Sequence, residues 1–346
     1  MARNGPNVYR EYSKYRSFLL LGCLRKTFPL FSLHCRPKGN TINSIGYRMI
    51  ESLAVAGRLL EPAPAVRAAW PKALIVMAHP DDEYALAATA YRISRELGGV
   101  VDHVVITNGA GGYRYAALAE AIYGVSIARE VDGRTNLPAI RRQETLNAGR
   151  VLGIRRHHFL EQTDSGFEDD CAGASWHAWD CALIRHRLAG LLAGDGYDFV
   201  ITLLPSAGCH GHHRATARLV LEAVAELPEE CRPVVLGAEA GRLADSPCAF
   251  GGLPEDALTR TAASTPAIVF DRNAPFGNQP ALNYQIVANW VIAEHKSQGL
   301  FQTDYGKHDA ERFWAFAVTP RALERSRELA RRLLPTGRVG DFSAGL

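Results

Sequence analysis

The sequence predicts an α/β fold in which a mainly parallel sheet is flanked by helices. From about residue 73 onward, short apolar runs alternate with helix-like segments, as expected for such a sheet. The 346 residues are 47% hydrophobic, which is enough for a sizeable core. The densest groups of polar residues follow two of the predicted strands. Because open α/β sheets bind ligands at the carboxyl ends of their strands, these groups are candidate functional sites.

The first predicted strand is the apolar run Leu-Ile-Val-Met-Ala at residues 74–78, and it stops at His-Pro-Asp-Asp-Glu, residues 79–83. A helix is expected over residues 84–97, because carboxylates favour the N-terminal turn of a helix. The second predicted strand, residues 101–107, ends in the glycine-rich segment 108–112. The first polar group therefore lies on a strand-to-helix turn.

The remaining predicted elements continue the alternation. They are a helix at about 138–152, a strand at 158–160, a helix at 179–193, a strand at 199–204 and a helix at 214–225. The strand at 199–204 runs into a second polar group, Pro-Ser-Ala-Gly-Cys-His-Gly-His-His, at residues 205–213. Two further strands, at 233–238 and 267–270, either complete the sheet or form an added hairpin. Residues 282–298 are predicted to be helical.

The composition excludes some classes of partner and compartment. The 39 basic residues are scattered among 36 acidic ones, for a net charge of +3, and this balance does not support nucleic-acid binding. The seven cysteines are odd in number, widely spaced and without a C-x-x-C pair. This usage favours a reducing compartment over a disulfide framework, so we expect a cytoplasmic protein.

The N-terminal segment, residues 1–48, is expected to be a poorly ordered extension before a single domain at 49–346, with Met49 as an alternative start. Its apolar stretch, Ser17–Cys23, is far shorter than the roughly 20 residues of a membrane helix. Two basic residues soon follow it, and no small-residue cleavage site does, so a signal peptide is weakly supported. We therefore expect no stable membrane insertion.

His79, Asp82 and His213 form the principal candidate metal site. Two imidazole nitrogens and one carboxylate oxygen are the usual protein ligands of a catalytic zinc ion, which keeps a fourth position for water. Each residue alone has an ordinary structural explanation, since Asp82 suits a helix cap and His213 a loop. Their grouping on two strand ends favours a metal site. The same set also describes a non-haem iron triad, so Zn²⁺ is expected and Fe²⁺ remains an alternative.

Asp81 and His210 are the candidate catalytic residues. A carboxylate beside a metal site can accept the proton of an attacking water molecule, although Asp81 also suits an N-cap. His210 can donate a hydrogen bond to a developing oxyanion or a proton to a leaving amine. The alternative for His210 is simple exposure in a loop.

The glycine-rich segment fails as a dinucleotide fingerprint, because the sixth position counted from Gly109 is Arg114. Its glycines are expected to let the backbone pass close to a bound substrate. From spacing alone, Arg141 and Glu144 suit a solvated ion pair within a helix. No Gly-x-Ser-x-Gly nucleophile elbow is present, and Cys209 is expected to be a small residue near the pocket and not a nucleophile.

Several segments in order closely resemble the LmbE-like, or PIG-L, family of metal-dependent N-deacetylases. The most specific is Ala-His-Pro-Asp-Asp-Glu at residues 78–83. The others are Thr-Asn-Gly at 107–109, Arg-Arg-Gln-Glu at 141–144, His-Gly-His-His at 210–213 and His-Lys-Ser-Gln at 295–298. The resemblance covers roughly residues 73–300.

The resemblance implies a Rossmann-like LmbE fold with its metal site at the carboxyl ends of the strands. Zinc ligands would be His79, Asp82 and His213; Asp81 would act as base and His210 would stabilise the tetrahedral intermediate. The substrate-binding residues would be Arg141, Asn108 and Gly109. The implied reaction is hydrolysis of an N-acetyl amide bond, with an N-acetylglucosamine-type conjugate as the substrate.

One residue departs from the family pattern. The second histidine motif is commonly His-x-Asp-His, whereas the third residue here is His212. An aspartate at this position carries a negative charge that can orient a neighbouring imidazole, and His212 cannot act in this way. His212 is therefore also considered as a fallback metal ligand. The rival functions are a catalytically inactive sugar-binding or regulatory protein on the same fold and an iron-dependent enzyme with the same triad.

Overall fold

The computed structural model describes residues 71–166, 178–206, 208–277, 279–303 and 305–334. The chain divides into two units, Met1–Ala65 and Val66–Leu346. The predicted extension at residues 1–48 lies outside the described residues. Everything below concerns the second unit.

The described strands are β1 (Lys72–Met77), β2 (Val100–Thr107), β3 (Arg156–Gln162), β4 (Phe199–Leu203), β5 (Val234–Gly241), β6 (Ile268–Asp271), β7 (Pro275–Phe276), β8 (Gln279–Asn283) and β9 (Ala310–Ala315). The described α-helices are α1 (Ala87–Tyr91), α2 (Glu120–Tyr123), α3 (Glu130–Leu152), α4 (Cys181–Asp195), α5 (Gly211–Ala225), α6 (Tyr284–Glu294) and α7 (Ala322–Leu333). A 3₁₀ turn, Asp82–Leu86, leads into α1, and a π-helical turn, Arg92–Glu96, follows it.

Seven of the described strands form one sheet in the order β3-β2-β1-β4-β5-β9-β6. Strands β1 to β5 pair in parallel, whereas β9 runs antiparallel to both β5 and β6. The expected α/β fold with a mainly parallel sheet is thus confirmed. The strand order reverses at β1, which has β2 on one side and β4 on the other. Open α/β sheets bind ligands at such a reversal, and both predicted polar groups follow the strands that form it.

The sheet is covered on both faces, and side-chain alternation along β1 divides the core. Ala73, Ile75 and Met77 pack with apolar residues of α1, α3, α6 and α7. Leu74 and Val76 point the other way and pack with α4 and α5. Successive side chains of a strand face opposite sides of the sheet, so a strand buried on both faces is apolar throughout.

Two features differ from expectation. Helix α3 begins at Glu130 and not near Pro138, because a proline inside a helix removes one backbone hydrogen bond without necessarily ending it. The core also continues beyond residue 300, since β9 joins the sheet and α7 packs behind it. The strands predicted at 233–238 and 267–270 both join the main sheet, as β5 and β6. The only added hairpin among the described residues is β7–β8.

In the described part of the chain, no helix combines the length and apolar character needed to cross a membrane.

Candidate metal centre and active-site cavity

The turn after β1 brings His79 and Asp82 together. The backbone N–H of Asp81 donates to the His79 carbonyl at 3.0 Å. The Asp82 carboxylate accepts the backbone N–H of His79 at 2.8 Å, and its Oδ2 lies 3.5 Å from His79 Nδ1. Asp82 therefore closes the turn and does not serve as a helix cap, which was its structural alternative.

His213 joins this pair from the first turn of α5. Its Nε2 lies 3.1 Å from His79 Nδ1 and 3.3 Å from Asp82 Oδ1. Ligands bound about 2.0–2.2 Å from one ion in a tetrahedral arrangement lie about 3.3–3.6 Å apart. The three separations of 3.1 to 3.5 Å are close to that spacing, and the two that involve Asp82 end on different oxygens of its carboxylate. The donor set and its dimensions thus fit a small divalent transition-metal ion.

A second group of imidazoles shares one member with the first. Ligand atoms of His79, His210 and His212 also lie within 4.8 Å of one another. In this group His79 presents its other nitrogen, because Nε2 lies 3.0 Å from His212 Nδ1. His210 Nδ1 meanwhile accepts the backbone N–H of His212 at 3.1 Å, as the cap of α5. This capping leaves the second group less suited to hold an ion.

The charges of His79, Asp82 and His213 depend on one another. Burial disfavours the imidazolium of His79, but the adjacent Asp82 carboxylate outweighs it and raises the pKa of His79 to about 9. Burial also opposes ionisation of Asp82, yet His213 and His79 hold its pKa well below the usual range. Because a metal needs neutral imidazole and ionised carboxylate, a cation would displace the proton of His79.

Asp81 forms a buried ion pair with Arg141. Arg141 Nη2 donates to Asp81 Oδ2 at 2.6 Å, and Nη1 donates to the Gly109 carbonyl at 2.7 Å. Asp81 occupies the N-cap position of the 3₁₀ turn, but its side chain makes no capping bond. Burial raises the pKa of the Asp81 carboxyl, while Arg141 opposes that rise.

Arg141 and Glu144 do not form the solvated ion pair that their spacing suggested. Both are buried, at 2% exposure each, and each bonds to a different element. Glu144 accepts the backbone N–H of Ser297 at 2.8 Å and its hydroxyl at 2.6 Å. The segment after α6 thereby fixes α3 against the site.

The same segment supports two other site residues. His295 Nε2 lies 2.8 Å from Glu83 Oε1, and both side chains are buried. With its amide oxygen turned toward Arg141, Gln298 accepts from Nε at 3.2 Å and from Nη2 at 3.3 Å. The predicted His-Lys-Ser-Gln motif therefore holds Glu83, Glu144 and Arg141 through three of its four side chains.

The glycines after β2 make room for polar side chains of the site. Gly109 has φ of +73°, and a Cβ there would lie 2.6 Å from Pro80 Cγ and 2.8 Å from Arg141 Nη1. A Cβ on Gly111 would lie 2.5 Å from Asp164 Oδ1. The close approach that requires glycine is therefore to the protein's own side chains.

A cavity of about 380 Å³ opens beside His79, Asp82 and His213. Its volume lies within the usual range of small-molecule sites. The candidate residues His79, Asp81, Asp82, Arg141, His210 and His213 line it, together with Cys209. From the glycine-rich segment, Gly111 and Gly112 are among the described residues that line the cavity, whereas Asn108 and Gly109 are not. Asn108 instead accepts the backbone N–H of Ala110 at 3.0 Å. The structure thus brings six of the eight predicted site residues to one cavity.

Aromatic side chains form another wall of the cavity. Tyr84, Phe301 and Tyr305 all line it, and their ring centroids lie 4.6 to 4.9 Å apart. The rings are inclined to one another by 48 to 70°, and their apolar surfaces suit the less polar face of a sugar ring or an attached apolar group.

Sequence reasoning missed Asp164 and Ser165. Asp164 lines the cavity, lies 3.8 Å from Arg141 Nη1 and is nearly fully buried. Asp164 follows β3, so the rule that ligands bind at strand ends would have selected it. Burial raises the pKa of its carboxyl, but His79 and Arg141 outweigh this and lower it overall.

Known proteins are similar to this region. Residues 74–224 match the family model PIG-L: GlcNAc-PI de-N-acetylase. A probable N-acetyl-alpha-D-glucosaminyl L-malate deacetylase 2 from Bacillus cereus is 26% identical over 162 residues, which are 47% of this chain and 64% of that protein. Its counterpart from Bacillus anthracis is 28% identical over 161 residues, 46% of this chain and 62% of that protein. The alignments thus span less than two thirds of these relatives.

Among solved structures, N,N'-diacetylchitobiose deacetylase from Pyrococcus horikoshii is similar, with a TM-score of 0.45 and 16% identity. The match covers 82% of this chain and 98% of that one. The family-model match begins in β1 and ends in α5, and it therefore includes both histidine motifs of the cavity. Residues 74–224 of this chain are therefore similar to the PIG-L (LmbE-like) family.

Proposed function

We propose that this protein is a zinc-dependent hydrolase that removes the acetyl group from an N-acetylglucosamine-type conjugate. The observation that carries the proposal is the spacing of His79, Asp82 and His213, with Asp81 beside them on the same cavity wall. The names of the matched family and of the bacterial relatives support the reaction class and the substrate class.

His79, Asp82 and His213 would hold the ion. A bound zinc ion supplies Lewis acidity, which polarises a carbonyl group and makes water more acidic. The metal itself is a proposal, since the N, N and O donor set also accommodates Fe²⁺.

Asp81 would accept the proton of the attacking water molecule. A general base works best with a pKa raised toward the operating pH, and burial shifts the Asp81 carboxyl in that direction. The bond from Arg141 fixes one oxygen of the Asp81 carboxylate, and Asp81 lines the cavity. We therefore assign Arg141 to positioning Asp81, in addition to lining the substrate cavity.

His210 would stabilise the oxyanion as a neutral donor. Its Nδ1 accepts the backbone N–H of His212, so the ring proton lies on Nε2. Burial and the neighbouring imidazoles lower the pKa of His210 to about 3, which keeps it neutral near pH 7. The proton held by Asp81 would pass to the amide nitrogen as the C–N bond breaks, so that the neutral amine leaves and acetate is released.

The compartment remains a proposal as well. We propose the cytoplasm, from the cysteine usage of the whole sequence.

The test combines metal content with product formation. Purified protein is analysed by inductively coupled plasma mass spectrometry, and acetate release is followed with N-acetylglucosaminyl malate and related N-acetylglucosamine conjugates, with and without a chelator. About one zinc per chain and chelator-sensitive acetate release are expected. Bound zinc without acetate from any conjugate would overturn the reaction, and absence of any metal would overturn the site.

Three variants separate the assigned roles. Asp81→Asn is expected to keep the metal and lose turnover by about 10²- to 10⁴-fold, the usual contribution of a general base. His79→Ala is expected to lose both metal and turnover. His186→Ala, which removes an exposed histidine of α4, is the matched control and should change neither. Equal metal loss in the Asp81 and His79 variants would contradict the division of roles.

A further inference from the structure

We infer that His212 is a positioning residue that fixes the orientation and tautomer of the metal ligand His79 through a hydrogen-bonded chain ending at Ser165. The inference rests on the proposed metal site. It assigns a specific task to the residue that departs from the family pattern.

The chain follows from the two nitrogens of each imidazole. His79 Nδ1 faces Asp82 and His213, whereas its Nε2 lies 3.0 Å from His212 Nδ1. If Nδ1 is the ligand atom, neutral His79 carries its proton on Nε2 and donates it to His212. His212 must then carry its own proton on Nε2, which lies 2.9 Å from Ser165 Oγ. Both imidazole N–H donors in this chain meet an acceptor.

The surroundings hold His212 in this position. Its side chain is completely buried, and its ring centroid lies 5.0 Å from that of Trp179. Trp179 is itself fixed, because its Nε1 donates to the Thr163 carbonyl at 2.9 Å. Such packing orients an imidazole without giving it room to move.

The alternative is that His212 is itself a ligand, in the group with His79 and His210. That arrangement would use His79 Nε2 and leave Asp82 and His213 without the imidazole that lies within 3.5 Å of both. It would also need a ligand atom from His210, whose Nδ1 caps α5. The geometry points to His212 as a partner of His79 and not of the ion.

The first experiment measures zinc affinity in competition with a chromophoric chelator. His212→Leu removes the acceptor and is expected to weaken zinc binding about 10- to 100-fold, as for other hydrogen-bond partners of ligand histidines. His212→Asn keeps an acceptor near the position of Nδ1 and should recover most of that loss. His186→Asn is the matched control and should bind zinc like the unmodified protein. Equal zinc affinity in the leucine variant and the unmodified protein would overturn the inference.

A second measurement counts the imidazole ligands by X-ray absorption spectroscopy of the zinc-loaded proteins. Two imidazoles are expected in both the unmodified protein and His212→Leu. Loss of one imidazole in the variant would show that His212 is a ligand and would overturn the inference.

A third measurement needs no variant and therefore does not depend on folding of the leucine form. Long-range ¹H–¹⁵N spectra of the zinc-loaded, histidine-labelled protein should show protonated Nε2 for both His79 and His212. A proton on His212 Nδ1 would contradict the chain. If the unmodified protein binds no metal, the proposed function itself fails, and this outcome is distinct from metal binding that is insensitive to His212.

Discussion

The ion pair between Asp81 and Arg141 should be among the strongest single interactions of the site. Both side chains are at least 90% buried, and Arg141 Nη2 lies 2.6 Å from Asp81 Oδ2. Arg141→Leu would leave a buried carboxylate without its partner, together with the Gly109 carbonyl that Nη1 now bonds at 2.7 Å. Removing one member of a buried pair typically costs about 3–5 kcal/mol, so we expect a loss of that size in the free energy of unfolding.

A double-mutant cycle isolates the pair. Asp81→Asn keeps an oxygen that can accept from Arg141 but removes the charge, so it should cost about 1–3 kcal/mol. In the Asp81→Asn background, Arg141→Leu no longer leaves a buried carboxylate without a partner. It should therefore lower the free energy of unfolding by less than it does in the unmodified protein. We expect a coupling energy of about 2–3 kcal/mol.

The assay is urea unfolding of the four metal-free proteins, followed by tryptophan fluorescence and circular dichroism. The slope with denaturant must agree among them for the free energies to be compared. Additive effects, with coupling below about 0.5 kcal/mol, would refute the view that Arg141 acts mainly through Asp81.

Three further changes test contacts away from the proposed metal ligands, each by urea unfolding. Gly149→Ala would normally favour a helix, but a Cβ there would lie 2.2 Å from His157 Nε2, so a loss of about 1–3 kcal/mol is expected, and any gain in stability would count against it. Glu144→Gln should cost about 2 kcal/mol, because the carboxylate accepts two bonds from Ser297; an unchanged midpoint would contradict this. Burial raises the pKa of Asp102, but bonds from two arginines and a tyrosine hold it below its usual range. Its ionised form therefore stabilises the fold above pH 4, so Asp102→Asn should cost about 2 kcal/mol at pH 7 and progressively less as the pH falls below about 4.

The sheet was predictable because its strands are buried on both faces. An apolar run such as 74–78 has no solvent-facing side, so its length and its polar end identify a parallel strand without any contact information. The predicted strands agree with the observed ones to within three residues at each end. The start of α3 was not predictable in this way, because Pro138 is equally compatible with a first turn and with an interior position that lacks one hydrogen bond.

Strand β9 was missed for a different reason. It reads Ala-Glu-Arg-Phe-Trp-Ala, and Glu311 and Arg312 suggest an exposed segment. Both are buried because they find partners far away in sequence: Glu311 accepts from Arg272 Nε at 2.9 Å and from two backbone N–H groups at the start of α1. A charged residue in a buried strand is stable only with such partners, which the local sequence does not reveal.

In the site too, contacts between residues close in sequence were predictable, whereas some contacts between distant residues were not. His79 and Asp82 lie three residues apart on one turn, so spacing alone brought them together. Their meeting with His213 followed from the rule for parallel strands, because both strand ends open at one edge of the sheet. The partner of Asp81 did not follow, since Arg141 lies 60 residues away on a helix whose approach depends on Glu144 and the segment after α6.

His212 shows most clearly why the residue type alone does not define its role. In the sequence, His212 replaces the aspartate of the family pattern and is also a fallback metal ligand. The sequence does not decide between these roles, because the choice depends on which nitrogen of His79 faces His212. That nitrogen is fixed by α5, whose first turn presents His213 to Nδ1 and His212 to Nε2. Consecutive helical residues point about 100° apart, so two adjacent histidines can contact opposite edges of one imidazole ring. In the proposed metal site, the third position of the motif would act through the ligand His79, and an imidazole can occupy it because a second acceptor, Ser165, receives its remaining proton.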